Sequence, residues 1–262
     1  MSAKHLLRNA AHTIVNGGLG FLPMPVRCRA YAEQALTVLA RLEKYRQALG
    51  IAFDGSKWGY EIDDKSQYNK GLSQWRPDER KTVFQYSPLT PQTLLEQGAP
   101  IDAWKRFFTP CEYIFSACFD LGLAVAREID AVMPGYGLAD SCLQAGPEKQ
   151  YLRFLAYQPR TAGNRETATA HQDRALLTIH VYESAPGLYI GHDKETKIRV
   201  GVPQGQVAVF AGRKAAQMTN GKLVALWHGT EEVPELEPGG RLSAVFFLHS
   251  DVPLLRRSGE LL

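Results

Sequence analysis

The 262-residue sequence predicts a fold that is mainly β with α: a double-stranded β-helix, or jelly roll, with N-terminal helices packed against it. Two observations predict it. Near residue 148 the texture of the chain changes from helical spacing and loops to strand-like runs. Beyond that point, short runs rich in β-branched and aromatic residues recur, separated by Gly, Pro or Asn with few helical interruptions, which is the pattern of a sandwich or barrel.

Each element follows from its own spacing. Leu6, Leu7, Ala10, Ala11, Ile14 and Val15 recur at helical intervals and predict a first helix. Ala32, Ala35, Leu36, Leu39 and Leu42 predict a second, ending at Gly50. Residues 53–103 read as loop, because Gly55, Gly59, Gly71, Pro77, Pro88, Pro91, Gly98 and Pro100 punctuate them. A third helix is expected from Asp102 to Met133, stopped by Pro134-Gly135 and open to a break at Pro110. Strands are expected at Tyr151–Tyr157, Ala175–Tyr182, Leu188–Gly191, Lys197–Val200, Gln206–Phe210, Leu223–Trp227 and Arg241–Leu248. This divides the chain into a helical and loop-rich region (1–148), a jelly-roll core (149–250) and a C-terminal tail (251–262).

Composition excludes several classes. Hydrophobic residues make up 45% and charged residues 22%, so the chain is not wholly disordered. The net charge of +3 is too small to argue for nucleic acid or an anionic membrane as a partner. Cys28, Cys111, Cys118 and Cys142 form no C-x-x-C pair and read as free, buried thiols in a reducing compartment. The segment Lys4–Val15 lacks the apolar block of a secretory signal. The most apolar later stretch, Tyr113–Met133, is interrupted by Asp120, Arg127, Glu128 and Asp130, which a membrane span does not tolerate cheaply. A soluble cytoplasmic protein is the expectation.

Three groups of residues carry candidate chemistry. His171 and Asp173 are i and i+2, so in an extended chain both reach one face and one metal ion. His228 closes the apolar segment Leu223–Trp227 and lies 57 residues after His171, an interval that lets a later strand return beside the first. Two histidines and one carboxylate on one face form the facial triad that suits non-haem Fe(II) and leaves three positions open. A surface histidine at a strand end is the other reading of His228. Arg241 and Ser243 also share a face, and their guanidinium and hydroxyl match an anion such as a carboxylate. Taken singly, Arg241 reads equally as an arginine snorkelling from a strand end.

These pieces occur in an order that resembles a known family. LRFLAYQP (152–159), HQDRALLT (171–178), Gly187-Leu188, GQVAVFAG (205–212), Thr219-Asn220-Gly221, His228 and RLS (241–243) resemble the catalytic core of the isopenicillin-N-synthase-like branch of Fe(II)/2-oxoglutarate-dependent oxygenases. DERKTVFQYSP and WKRFFTPCEYIF resemble, more loosely, its pre-core loop and long helix. The resemblance implies Fe(II) on His171, Asp173 and His228. It implies the distal carboxylate of 2-oxoglutarate on Arg241 and Ser243, with Tyr157 contributing, and dioxygen as the third reactant. It implies hydroxylation of a small-molecule substrate with release of succinate and CO2, whereas a halogenase is disfavoured by the presence of Asp173. Leu155 stands where many relatives have Asn. Gly229 stands where many have Arg after the distal histidine, which would leave that side of the pocket more open.

The substrate side is less determined. Arg174 either meets an anionic substrate group or points outward as the residue next to a ligand should. Trp58, Tyr60, Tyr68, Trp75, Phe84 and Tyr86 either wall a pocket or pack a core. His5, His12, His180, His192 and His249 belong to no comparable constellation. Two other functions fit the same residues: an Fe(II) oxidase of this fold that uses no 2-oxoglutarate, and a non-catalytic β-sandwich binding module. Oligomeric state is not legible.

Overall fold

The computed structural model describes residues 2–42, 59–60, 81–96, 101–157, 166–231 and 240–253. The first helix, α1 (Ala3–Val15), starts on Ser2, whose hydroxyl accepts the His5 amide, and buries Ala10, Ala11 and Ile14. A short strand, β1 (Gly20–Pro23), leads to α2 (Cys28–Leu42); the expected extension of α2 to Gly50 lies outside the described residues.

The segment read as loop contains two elements that its prolines and glycines obscured. These are β3 (Lys81–Tyr86), paired with the short β2 (Gly59–Tyr60), and helix α3 (Thr90–Glu96). The long helix α4 (Ile101–Val132) is continuous through Pro110. Trp104, Phe107 and Phe108 before the proline and Cys111, Ile114 and Phe115 after it are all buried in one core, which keeps the helix intact across the lost hydrogen bond. Helix α5 (Leu138–Ala145) and a 3-10 turn (Pro147–Lys149) then feed the strands.

The remaining elements are β4 (Tyr151–Tyr157), β5 (Glu166–His171), β6 (Leu177–Glu183), β7 (Leu188–Gly191), β8 (Ile198–Arg199), β9 (Gln206–Ala211), helix α6 (Arg213–Met218), β10 (Trp227–Glu231) and β11 (Arg241–Leu248). All pairs are antiparallel, in a seven-stranded sheet ordered β1-β9-β6-β11-β4-β3-β2 and a four-stranded sheet ordered β5-β10-β7-β8. Four strands of the larger sheet (β9, β6, β11, β4) and the four of the smaller make the jelly roll. The strands β1 and β3, from before residue 148, extend the same sheet, so the two textures of the sequence share a hydrogen-bonded ladder. The apolar run Leu223–Leu226 is not the strand its composition predicts. It is an irregular segment anchored by buried Leu223, Ala225 and Leu226, and the strand begins at Trp227.

One face of the large sheet packs on the helices. Leu152, Phe154, Ile179, Val181, Ala244, Phe246 and Leu248 meet α1, α2 and α4 in a single core, within which Phe84 and Tyr86 are packed. Gly122 of α4 lets Leu248 approach where a side chain would crowd it. The four cysteines are free and buried, as expected. The other face of the large sheet looks toward the small sheet and carries Val83, Leu155, Tyr157, Val245 and Phe247, with Ala168 and Ala175 opposite. The described residues contain no helix long and apolar enough to cross a membrane.

Candidate active site

The two sheets bring the predicted metal ligands together on the inner face. Strands β5 and β10 pair so that His228 stands directly opposite His171, which is how residues 57 apart become neighbours. Asp173 lies in the turn just beyond β5. That turn is fixed from behind: Arg213 donates its backbone N–H to the Asp173 carbonyl at 2.7 Å, and Gly212 passes so close to the Asp173 and Ala175 carbonyls that no side chain would fit. Gln172, between the ligands, turns away to the Ala225 carbonyl at 2.7 Å.

The ligand atoms of His171, Asp173 and His228 all lie within 4.8 Å of one another. His171 Nε2 is 3.5 Å from Asp173 Oδ1, and His228 Nε2 is 3.3 Å from Asp173 Oδ2. Both Nδ1 atoms face backbone carbonyls, Thr169 at 2.8 Å and Leu226 at 3.1 Å. A carbonyl only accepts, so Nδ1 carries the proton and Nε2 presents its lone pair to the centre, the tautomer a metal needs. Thr178 donates to Asp173 Oδ2 at 2.6 Å, and Phe210 packs on the His228 ring at 4.6 Å. Burial alone would raise the Asp173 carboxyl, but the two imidazoles outweigh it and hold it well below the usual carboxylate range. Burial would lower His228, and the adjacent Asp173 charge instead raises it.

The residues predicted to meet an anion sit on the large sheet. Arg241 and Ser243 of β11 are buried, each about 1% exposed, and face Tyr157 and Leu155 of β4 in register. The Arg241 guanidinium lies 5.6 Å from the Tyr157 ring centre. Its Nε donates to the Ala185 carbonyl at 3.0 Å and its Nη2 to Glu183 at 2.6 Å. Arg241 Nη1 and Ser243 Oγ have no hydrogen-bond partner among the described residues. Two dry, unsatisfied donors side by side fit a ligand carboxylate, because a buried donor left unmade is destabilising.

Two neighbours escaped sequence reasoning. Glu183 holds Arg241 and also lies 3.4 Å from His180, so His180 is part of a buried charge cluster rather than an isolated histidine. Burial would raise Glu183, but His180 and Arg241 bring it below its ordinary value. Strict alternation gives no signal for it: Thr178, His180 and Tyr182 share a parity, yet a register shift between Ala244 and Val245 turns Glu183 inward and Tyr182 toward the helices. The second is Thr178, whose hydroxyl looks structural in sequence.

Three expectations are corrected or narrowed. The space beside Gly229 is not open, since a side chain there would strike the Tyr189 hydroxyl, which fills it. Arg174 is exposed, the outward reading. Of the six aromatics from the loop-rich segment, Phe84 and Tyr86 are core, Tyr60 contributes backbone to β2, and Trp58, Tyr68 and Trp75 lie outside the described residues.

Comparison with known proteins agrees with this geometry. The family model of the 2OG-Fe(II) oxygenase superfamily matches residues 149–250, a span that contains every predicted site residue. No curated protein matches the chain by sequence. Among solved structures, a full-length Neurospora crassa protein in complex with alpha-KG has 19% identity and a TM-score of 0.72, over 96% of this chain and 81% of that one. The Arabidopsis thaliana dioxygenase for auxin oxidation 1, solved with 2-oxoglutarate, has 18% identity and a TM-score of 0.60, over 99% and 96%. The rice dioxygenase for auxin oxidation has 16% identity and a TM-score of 0.67, over 98% and 85%. Residues 149–250 thus match the 2OG-Fe(II) oxygenase superfamily, and this match together with the His-Asp-His set supports a dioxygenase whose cofactors are Fe(II), 2-oxoglutarate and dioxygen.

Proposed function

We propose that this dioxygenase hydroxylates a small-molecule substrate, with release of succinate and CO2. In this reading His171, Asp173 and His228 hold Fe(II) through their Nε2 and carboxylate oxygens, and Arg241 Nη1, Ser243 Oγ and the Tyr157 hydroxyl receive the distal carboxylate of 2-oxoglutarate. When bound, the iron and cosubstrate supply the oxidising chemistry. The protein contributes two preset imidazole tautomers, a carboxylate steadied by Thr178, and a dry guanidinium oriented by Glu183. In this reading residues 149–250 are the catalytic core, and the described helices before residue 148 buttress it. A reducing, cytoplasmic setting agrees with the four buried thiols.

One observation carries the reading: a converged His-Asp-His set on the small sheet and the turn after β5 occurs together with two unsatisfied buried donors on β11 of the large sheet. That similar folds are solved with thymine and alpha-KG, or named for auxin oxidation, supports a small-molecule substrate. The test is anaerobic titration with Fe(II) and 2-oxoglutarate, followed by a screen of small organic compounds for substrate-stimulated succinate. A visible charge-transfer band and stimulated succinate are expected. A band without succinate from any compound that becomes oxidised would point to an oxidase instead, and no band would end the assignment.

A further inference from the structure

The inner face carries a second arginine whose setting differs from that of Arg241. Arg153 lies mid-way along β4, in register with Gln85 of β3 on one side and Val245 of β11 on the other. Its Nε donates to Gln85 Oε1 at 2.9 Å, and its Nη2 shares that acceptor. The guanidinium carbon lies 5.6 Å from the Tyr151 ring centre and 5.1 Å from that of Phe247. No carboxylate among the described residues pairs with it, and Nη1 makes no hydrogen bond among them.

That arrangement is unusual for an interior position. The face around Arg153 is otherwise apolar, with Leu155, Val245 and Phe247 as neighbours. Among the described residues, a half-buried cation there is compensated by one neutral amide oxygen and two ring faces. Arg241, on the same face, has its own glutamate. Arg153 also sits beside the metal-ligating set: Tyr151 pairs with Phe247, Phe247 pairs with Thr178, and the Thr178 hydroxyl holds Asp173. Tyr151 and Phe247 themselves contact at 4.9 Å between ring centres, forming an aromatic wall against which the cation lies.

We propose that Arg153 binds the acidic group of the substrate, and that Arg153, Tyr151 and Phe247 together select a small, ring-bearing carboxylic acid over its uncharged counterpart. This rests on the oxygenase reading, since it places the acid's ring against the wall that faces the iron-binding residues. Gln85 orients the guanidinium edge-on through Nε and Nη2 and leaves Nη1 for the ligand. Gln85 is thus a positioning residue, and Arg153 the specificity determinant.

The test is calorimetric binding to protein loaded anaerobically with Fe(II) and 2-oxoglutarate, and in parallel to the metal-free protein. The probes are benzoate, phenylacetate and 3-phenylpropanoate, each beside its primary amide. At least one acid should bind about tenfold or more tightly than its amide, the size expected for a charge-assisted bond. Arg153→Met should bring that ratio to about one. So should Gln85→Glu, which supplies the missing carboxylate at the same contact and keeps the guanidinium in place. A purely structural strut predicts the reverse for Gln85→Glu: a firmer fold and an unchanged ratio. Equal binding of acids and amides in the native protein, binding of none, or a ratio that survives either variant would overturn the proposal. Failure of the oxygenase reading shows separately, as no charge-transfer band with Fe(II) and 2-oxoglutarate.

Discussion

Where His171, Asp173 and His228 meet, every side chain already has a partner from the fold; where Arg241 and Ser243 sit, two donors are buried with none among the described residues. The first cluster is carried by the small sheet and the turn after β5, the second by β11 of the large sheet, and they are prepared differently. Two backbone carbonyls and a threonine hydroxyl preset the three proposed metal ligands, so their geometry exists before any ion arrives. The anion end is oriented by Glu183 and the Ala185 carbonyl but not saturated. A coordinating site gains from rigid tautomers and angles. A site for an exchanging cosubstrate gains from donors kept dry and available, at a standing penalty of about 1–3 kcal/mol per unmade bond. The contrast predicts that the two ends can be broken independently.

Removing the metal end has the largest effect. Asp173→Ala takes away the carboxylate that lies between both imidazoles and should abolish iron binding and turnover together. Iron content after anaerobic loading and substrate-dependent succinate are the measurements. Full succinate production by the variant would remove Asp173 from the site.

Removing the anion end comes next. Arg241→Met should raise the half-saturating concentration of 2-oxoglutarate about 100-fold or more while Fe(II) binding stays near native, since breaking a buried charge pair costs about 3–5 kcal/mol. It also strands Glu183, so the melting temperature should fall. Adding Glu183→Gln should restore stability but not cosubstrate affinity. If the double variant recovers both, Arg241 acts only as a partner for Glu183.

A smaller effect sharpens the contrast. Thr178→Val keeps the shape of the side chain and deletes the bond to Asp173 Oδ2. Iron affinity should fall about 10–100-fold, the usual scale for a supporting residue behind a metal ligand. The 2-oxoglutarate requirement of iron-saturated protein should hardly change. Equal iron affinity in the variant and the parent would show that the turn behind β5, pinned by Arg213, positions Asp173 unaided.

The sequence made the candidate ligands visible and hid their supports. His171, Asp173, Arg241 and Ser243 are pairs at i and i+2, and a period of two is a property of the local chain. Thr178, Glu183 and Gln85 matter because of what lies across the sheet. Gln85 meets Arg153 from 68 residues away, and Glu183 meets Arg241 from 58. Those meetings depend on register, and Glu183 depends on a bulge that reverses the alternation of β6. β3 was hidden for a related reason. Its residues Val83 to Tyr86 are buried on both faces, so KTVFQY shows no alternation, and the surrounding prolines and glycines read as loop. Leu223–Leu226 misled in the other direction, because burial of an irregular anchor leaves the same apolar signature as a strand.

The last effect comes from protons and Fe(II) sharing the same atoms. In the metal-free protein Asp173 is held well below the carboxylate range. It therefore supplies stability present above about pH 3.9 and lost as pH falls through its lower folded value. His228 is raised above its ordinary 6.5, so its contribution is full at lower pH and is lost as pH rises through its folded value. The pair stabilises the empty site most between those limits. Iron needs His228 Nε2 without its proton, so its apparent affinity should rise about tenfold per pH unit, or about 1.4 kcal/mol, as long as His228 stays protonated without metal. The rise in melting temperature from saturating anaerobic Fe(II) should accordingly be larger near about pH 7.5 than near about pH 5.5. Equal shifts at both would mean that the Asp173–His228 contact is not what the metal displaces. The preset tautomers would then be maintained by the Thr169 and Leu226 carbonyls alone.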